Sequence, residues 1–145
     1  MSHADIAVAC FKEGFNCSQA VLAAFAPELG LEREAALRVA GAFGGGIGRT
    51  GQTCGAVTGA LMVLGLKHGQ VSAADRPAKE HTYALAREFF AQFEARHGST
   101  LCRELLGYDI GTPEGMQAIK EKGLHHSLCP KLVGDAAEIL ERLLL

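Results

Sequence analysis

Five cysteines, Cys10, Cys17, Cys54, Cys102 and Cys129, are the side chains of this chain best suited to chemistry. A thiolate is at once a nucleophile, a metal ligand and half of a disulfide. Four of the five share a local setting. Cys17 follows Asn16, a good helix N-cap. Cys54 follows a glycine-rich loop and opens an apolar segment. Cys102 lies in the first turn after Ser99, and Cys129 precedes Pro130 at the start of the last helical segment. A helix N-terminus presents unpaired N–H groups and the positive end of the dipole. Both favour thiolate over thiol, and the same ends stabilise an anion such as a thiolate-ligated metal centre. Cys10 sits mid-helix among Ala7, Val8, Ala9 and Phe11 and reads as a small packing residue.

No two of the cysteines stand at C-x-x-C spacing, so a shared site has to be assembled by the fold. Zinc ribbons and ferredoxins rely on tight pairs, and C-x-x-C-H, the c-type haem motif, is missing. The alternative use of cysteine is as a small hydrophobe in an ordinary core. Gly46-Ile47-Gly48-Arg49-Thr50-Gly51 fits G-x-G-x-x-G letter for letter, but a dinucleotide site needs a preceding strand and none is in view. The loop instead reads as backbone that wraps close to Cys54, with Arg49 placed to steady a thiolate or to remain solvated. His125-His126, shortly before Cys129, offers a ligand or a proton relay, or simply an exposed pair. His68, His81 and His97 fall near helix ends or on a polar face. Thr58, one turn beyond Cys54, can bond a sulfur or its own helix.

The positioning elements are helices. A first helix runs from Ser2 or Asp5 to Glu13. A second runs from Cys17 to Leu29 and ends at Gly30, with Pro27 tightening its last turn, and a third covers Glu32 to Phe43. The glycine loop 44–51 precedes a central helix over about Thr53 to Lys67, whose small faces Gly55/Gly59 and Ala56/Ala60 suit a close helix crossing. Ser72 is expected to cap a long amphipathic helix ending at Arg96 or His97. A short helix, Thr100–Leu106, follows a Ser99 cap, and Thr112-Pro113-Glu114 opens another that ends near Gly123. Cys129-Pro130 opens the last. No segment alternates with period two, so the expected fold is all-α. It is a single-domain multi-helix bundle over 1–145, with a glycine-rich loop before a buried central helix.

With 14 Lys plus Arg against 16 Asp plus Glu and no basic run, nucleic acid is not an expected partner. Cys54–Leu66 is too short to span a bilayer, which takes about 20 apolar residues, so membrane insertion is not expected either. The first residues lack the basic start of a secretion signal. A reducing, cytoplasmic location follows as the expectation, and there a cysteine set points to metal binding or redox chemistry rather than permanent disulfides.

These residues resemble the small bacterial and archaeal redox-active proteins labelled by the cysteine pattern C_GCAxxG_C_C. The likeness rests on Asn16-Cys17-Ser18-Gln19-Ala20-Val21, on Cys54-Gly55-Ala56-Val57-Thr58-Gly59 (read here as CGAxxG), on Cys102-Arg103-Glu104-Leu105 and on Cys129-Pro130. It implies a redox role through Cys17, Cys54, Cys102 and Cys129, with Cys10 outside the pattern. Some relatives are similar to a dihaem cytochrome with cysteines suited to an iron–sulfur cluster, and only that cysteine half can carry over. The leading expectation is a redox or electron-transfer protein whose four cysteines converge and ligate an iron–sulfur cluster. The alternatives are a thiol–disulfide oxidoreductase with Cys54 as nucleophile and another cysteine resolving it, or a structural zinc protein. An unidentified redox partner is implied, and the apolar last helix would suit a homodimer.

Overall fold

The computed structural model describes residues 1–145 and is all-α. Its longer helices are α1 (His3–Lys12), α2 (Cys17–Phe25), α3 (Arg33–Val39), α5 (Gly55–His68), α6 (Arg76–His97), α7 (Cys102–Leu106), α8 (Pro113–Glu121) and α10 (Cys129–Leu143). Two single turns, α4 (Gly44–Ile47) and α9 (Leu124–Ser127), join them. The starts follow from capping. Ser2 and Asp5 form a capping box at α1, Asn16 and Gln19 another at α2, and Thr112 accepts from the Gly115 N–H at α8. Pro27 turns the end of the second helix into a 3₁₀ segment, Ala26–Leu29, which Gly30 closes in the left-handed conformation.

Three boundaries differ from the expectation. The third helix stops at Val39, and Gly41–Phe43 is a separate 3₁₀ turn. Asp75 rather than Ser72 caps α6, because its carboxylate reaches the Ala78 N–H; Ser72 only bonds the Ala74 N–H in the preceding turn. Leu101, not Ser99, is the N-cap of α7. Ser99 instead accepts from the Leu101 N–H and donates to Glu104 at 2.6 Å, which buttresses the turn from outside the helix.

The main core gathers α1, α2, α5, α6 and α10 around Leu22, Leu64, Phe89, Phe93, Ile139 and Leu140, all fully buried. The crossing of α2 and α5 is tight. A Cβ at Gly59 would stand 2.7 Å from the Ser18 carbonyl oxygen, and one at Gly55 would stand 2.9 Å from the Ser18 nitrogen. The small face of the central helix is therefore a contact face, and Thr58 bonds the Gly55 carbonyl and the Ser18 hydroxyl rather than a sulfur. The apolar stripe of α10 is buried against this core through Leu132, Val133, Ala136, Ala137, Ile139 and Leu140. His3 ties the ends of the chain together. Its ring stacks on Phe25 at 4.2 Å, with Nδ1 3.0 Å from Glu141 and Nε2 3.0 Å from Glu28. No helix is long and apolar enough to cross a membrane.

A second, smaller apolar cluster lies under α7 and α8 and consists of Cys102, Leu106, Ile110, Ile119 and Cys129. Cys54 belongs to the main core, and Cys17 packs against both clusters. The seam between the two is where the cysteines meet.

Candidate thiol site

Each of the four cysteines opens a helix, as the capping pattern implies. Cys17 is the first residue of α2, Cys102 of α7 and Cys129 of α10, while Cys54 is the N-cap of α5. Two backbone devices bring these starts together. Segment 51–54 pairs with segment 100–103 through a single antiparallel bridge between Thr53 and Leu101. The Cys54 N–H donates to Thr100 O at 2.8 Å, the Cys102 N–H to Gln52 O at 2.6 Å and the Arg103 N–H to Gly51 O at 3.1 Å. Gly46 supplies the second device. Its φ is +68°, and a Cβ there would lie 2.6 Å from the Cys102 Cβ and 2.7 Å from the Gln52 nitrogen. Only glycine satisfies both the left-handed backbone and that close approach. The loop is thus the wrapping backbone expected around the cysteines. No strand precedes it, so the dinucleotide motif has no structural basis.

All four thiols line one cavity of about 860 Å³, together with the glycine loop, Arg49, Lys120, His125 and His126. Cys54, Cys102 and Cys129 are buried and Cys17 is partly so; all five cysteines of the chain are free. No three His, Cys, Asp or Glu side chains stand close enough together to hold a single ion.

Their acidities diverge. Burial pushes Cys54 up to about 12, although the Ala56 and Val57 N–H groups aimed at its sulfur pull the other way. Burial likewise raises Cys102 to about 11, with the negative charges that Cys129 and Asp109 can carry adding to it. The Cys17 thiol is held well above its usual range, first by its hydrogen bond to Cys129 and then by burial. Cys129 alone is drawn down, to about 5, by that bond from Cys17 and by a contact with His125. The expectation that four helix N-termini would yield four acidic thiols therefore holds for one. Desolvation outweighs the dipole at the others.

His125 was expected as either a ligand or an exposed loop residue. It lies in α9, half-buried, with Nδ1 3.8 Å from the Cys129 sulfur. That sulfur raises the imidazole's basicity, against burial and the nearby charges of Arg49 and Lys120. His126 is exposed. A four-residue helical turn leaves no periodicity to read. The only signal was the separation of four residues from Cys129, one turn of helix. Cys10 stays apart. It is buried in the main core with Arg33 Nη2 at 3.8 Å.

The fold and site define an all-α protein in which four helix-opening cysteines share one cavity. The family model described as "Putative redox-active protein (C_GCAxxG_C_C)" matches residues 15–143, and the chain belongs to that family. The match takes in Cys17, Cys54, Cys102 and Cys129 and leaves Cys10 outside. No curated protein and no solved structure matches the chain.

Proposed function

We propose that this is an electron-transfer protein whose Cys17, Cys54, Cys102 and Cys129 hold an iron–sulfur cluster. The observation that carries the reading is the convergence of four thiols, each from a different helix start, on one cavity. The donor set suits such a cluster, which takes four thiolates. When bound, the cluster would supply one-electron transfer. The protein's part is to replace the protons of the buried thiols with metal bonds and to offset the resulting negative charge with four helix N-termini and Arg49. Apolar clusters flank the sulfurs on either side, and Cys54, Cys102 and Cys129 are buried. The test is anaerobic purification followed by absorbance and metal analysis. Iron and sulfide in a brown protein are the expected result; a colourless protein with neither overturns the reading, and one zinc per chain would put structural metal in its place.

A second reading is favoured by one contact, that of the Cys129 sulfur with His125 Nδ1 at 3.8 Å, at a cavity wall that Cys17 shares. In a thiol–disulfide oxidoreductase, Cys129 rather than Cys54 would attack, because it is the acidic thiol and Cys54 is held protonated. The Cys129 thiolate would open a disulfide of the partner to give a mixed disulfide. Cys17 would then lose its proton and displace the partner's second sulfur. The partner leaves as a dithiol, and the protein is left with a Cys17–Cys129 disulfide.

A further inference from the structure

The cysteine cavity carries more positive charge than the Arg49 that the redox reading sets beside the thiols. Its wall includes Lys12, Arg49 and Lys120, with His125 and His126 beside them, and no Asp or Glu. Acids outnumber Lys plus Arg in the chain as a whole, 16 to 14, so an acid-free wall is a local concentration of positive charge. The ion pairs of the molecule are formed by His3, Arg33, Arg38, Arg96 and His97. Lys12, Arg49 and Lys120 take part in none of them. Arg49 is also set into the wall: a Cβ on Gly45 would stand 2.8 Å from the Arg49 Cγ, so the arginine stem lies directly over that glycine. Unpaired cations around a concavity focus a positive potential into it, which a negative ligand relieves.

We propose that this cavity binds a small, multiply charged anion, an inorganic oxyanion or a di- or tricarboxylate, between Arg49 and Lys120. The inference goes beyond the redox reading by assigning a ligand class to the same cavity, and it stands whether or not the thiols hold a cluster. A small anion is favoured over the acidic surface of a partner protein because the charges line a concave space. At about 860 Å³ its volume falls in the range of small-molecule sites, roughly 300–1,000 Å³.

The test is calorimetric titration of the full chain, purified anaerobically with whatever centre it carries, using inorganic phosphate and then citrate at constant ionic strength. One saturable site is expected for at least one of them. Binding should weaken at least about fivefold in the Arg49→Gln, Lys120→Gln double variant. Lys122→Gln, which removes a cation over the Tyr108 ring outside the cavity, should bind as the wild type does. If the double variant fails to fold, amide NMR of the wild type decides, and phosphate or citrate should shift the signals of residues 44–51 and Lys120. No binding of either anion overturns the proposal, as does equal binding in the double variant and the wild type. Capture only of an acidic protein would give the rim to a partner and overturn it too. Iron measured on the same samples separates the two readings. Anion binding without iron leaves this inference standing and removes the cluster, and iron without anion binding does the reverse.

Discussion

His125 Nδ1 stands 3.8 Å from the Cys129 sulfur, one helical turn away in the chain and at the wall of the cysteine cavity. Cys17 and Cys129 act on each other in opposite senses: Cys17 is pushed well up, and Cys129 is drawn down, by its Cys17 neighbour first and by His125 as well. One acidic thiol among three held neutral is the electrostatic signature of the metal-free site.

That asymmetry sets the order of thiol reactivity. In reduced, metal-free protein, iodoacetamide should modify Cys129 first, and its rate should rise at a lower pH than that of an ordinary thiol, which titrates near 8.5. Cys54 and Cys102 should resist below pH 9. His125→Gln should move the Cys129 profile toward alkaline pH. Peptide mass spectrometry of quenched samples reads all three sites, and faster labelling of Cys54 than of Cys129 would contradict the assignment.

Ligation can be separated from packing by comparing cysteines. Alanine at Cys17, Cys54, Cys102 or Cys129 should each lower iron retained through anaerobic purification by more than about half, because a cluster of this kind needs its four thiolates. Cys10→Ala should retain the wild-type iron content and lose only about 1 kcal/mol of stability from the vacated core space. Iron-to-protein ratios and thermal melts distinguish the two effects.

Gly46→Ala should be the most damaging small substitution in the loop. It combines a left-handed backbone with a Cβ 2.6 Å from that of Cys102. The conformational part alone amounts to about 1–2 kcal/mol, and displacement of Cys102 adds to it. A drop in melting temperature of more than about 3 °C is expected, since 1 kcal/mol shifts a chain of this size by roughly 2–4 °C. Gly48→Ala, also left-handed but with nothing nearer than the Ala42 carbonyl at 3.8 Å, should lose less.

The raised thiols also fix how stability depends on alkali. Cys54 titrates near 12 when folded and near 8.5 when unfolded, so above pH 8.5 the unfolded chain gives up this proton first. Its contribution is complete below about pH 8.5 and is lost as pH rises toward 12. Cys129 acts oppositely: its contribution is present above about 8.5 and is lost as pH falls toward 5. Thermal melts of metal-free protein from pH 8 to 10.5 should therefore fall less steeply in Cys54→Ala than in the wild type.

The helix starts at Cys17, Cys54 and Cys129 were legible because a capping residue, glycines and a proline mark them locally, while that at Cys102 was placed only to within a turn. The close crossing of α2 and α5 was legible too, since Gly55 and Gly59 have no helical reason to be there. The acidity order was not legible. It depends on which thiol is desolvated and which faces another, and both are set by residues far away in the chain. The caps at Ser72 and Ser99 were misplaced for a related reason. Either serine can cap a helix, but Asp75 reaches a free N–H in one case and Glu104 engages the hydroxyl in the other.

The bridge that joins segment 51–54 to segment 100–103 has a bearing on biogenesis. Cys54 and Cys102 come together only when these two stretches pair, and Cys129 joins them only after α10 has docked on the core. No partial chain emerging during synthesis holds more than a fragment of the constellation. A group held by all four sulfurs, as proposed, would have its full ligand set only after the last helix is in place, and it would tie four distant segments together. Loss of the inserted group should then loosen α7 and its bridge before the α2–α5 crossing, so the site doubles as the clasp that reports whether the chain was finished.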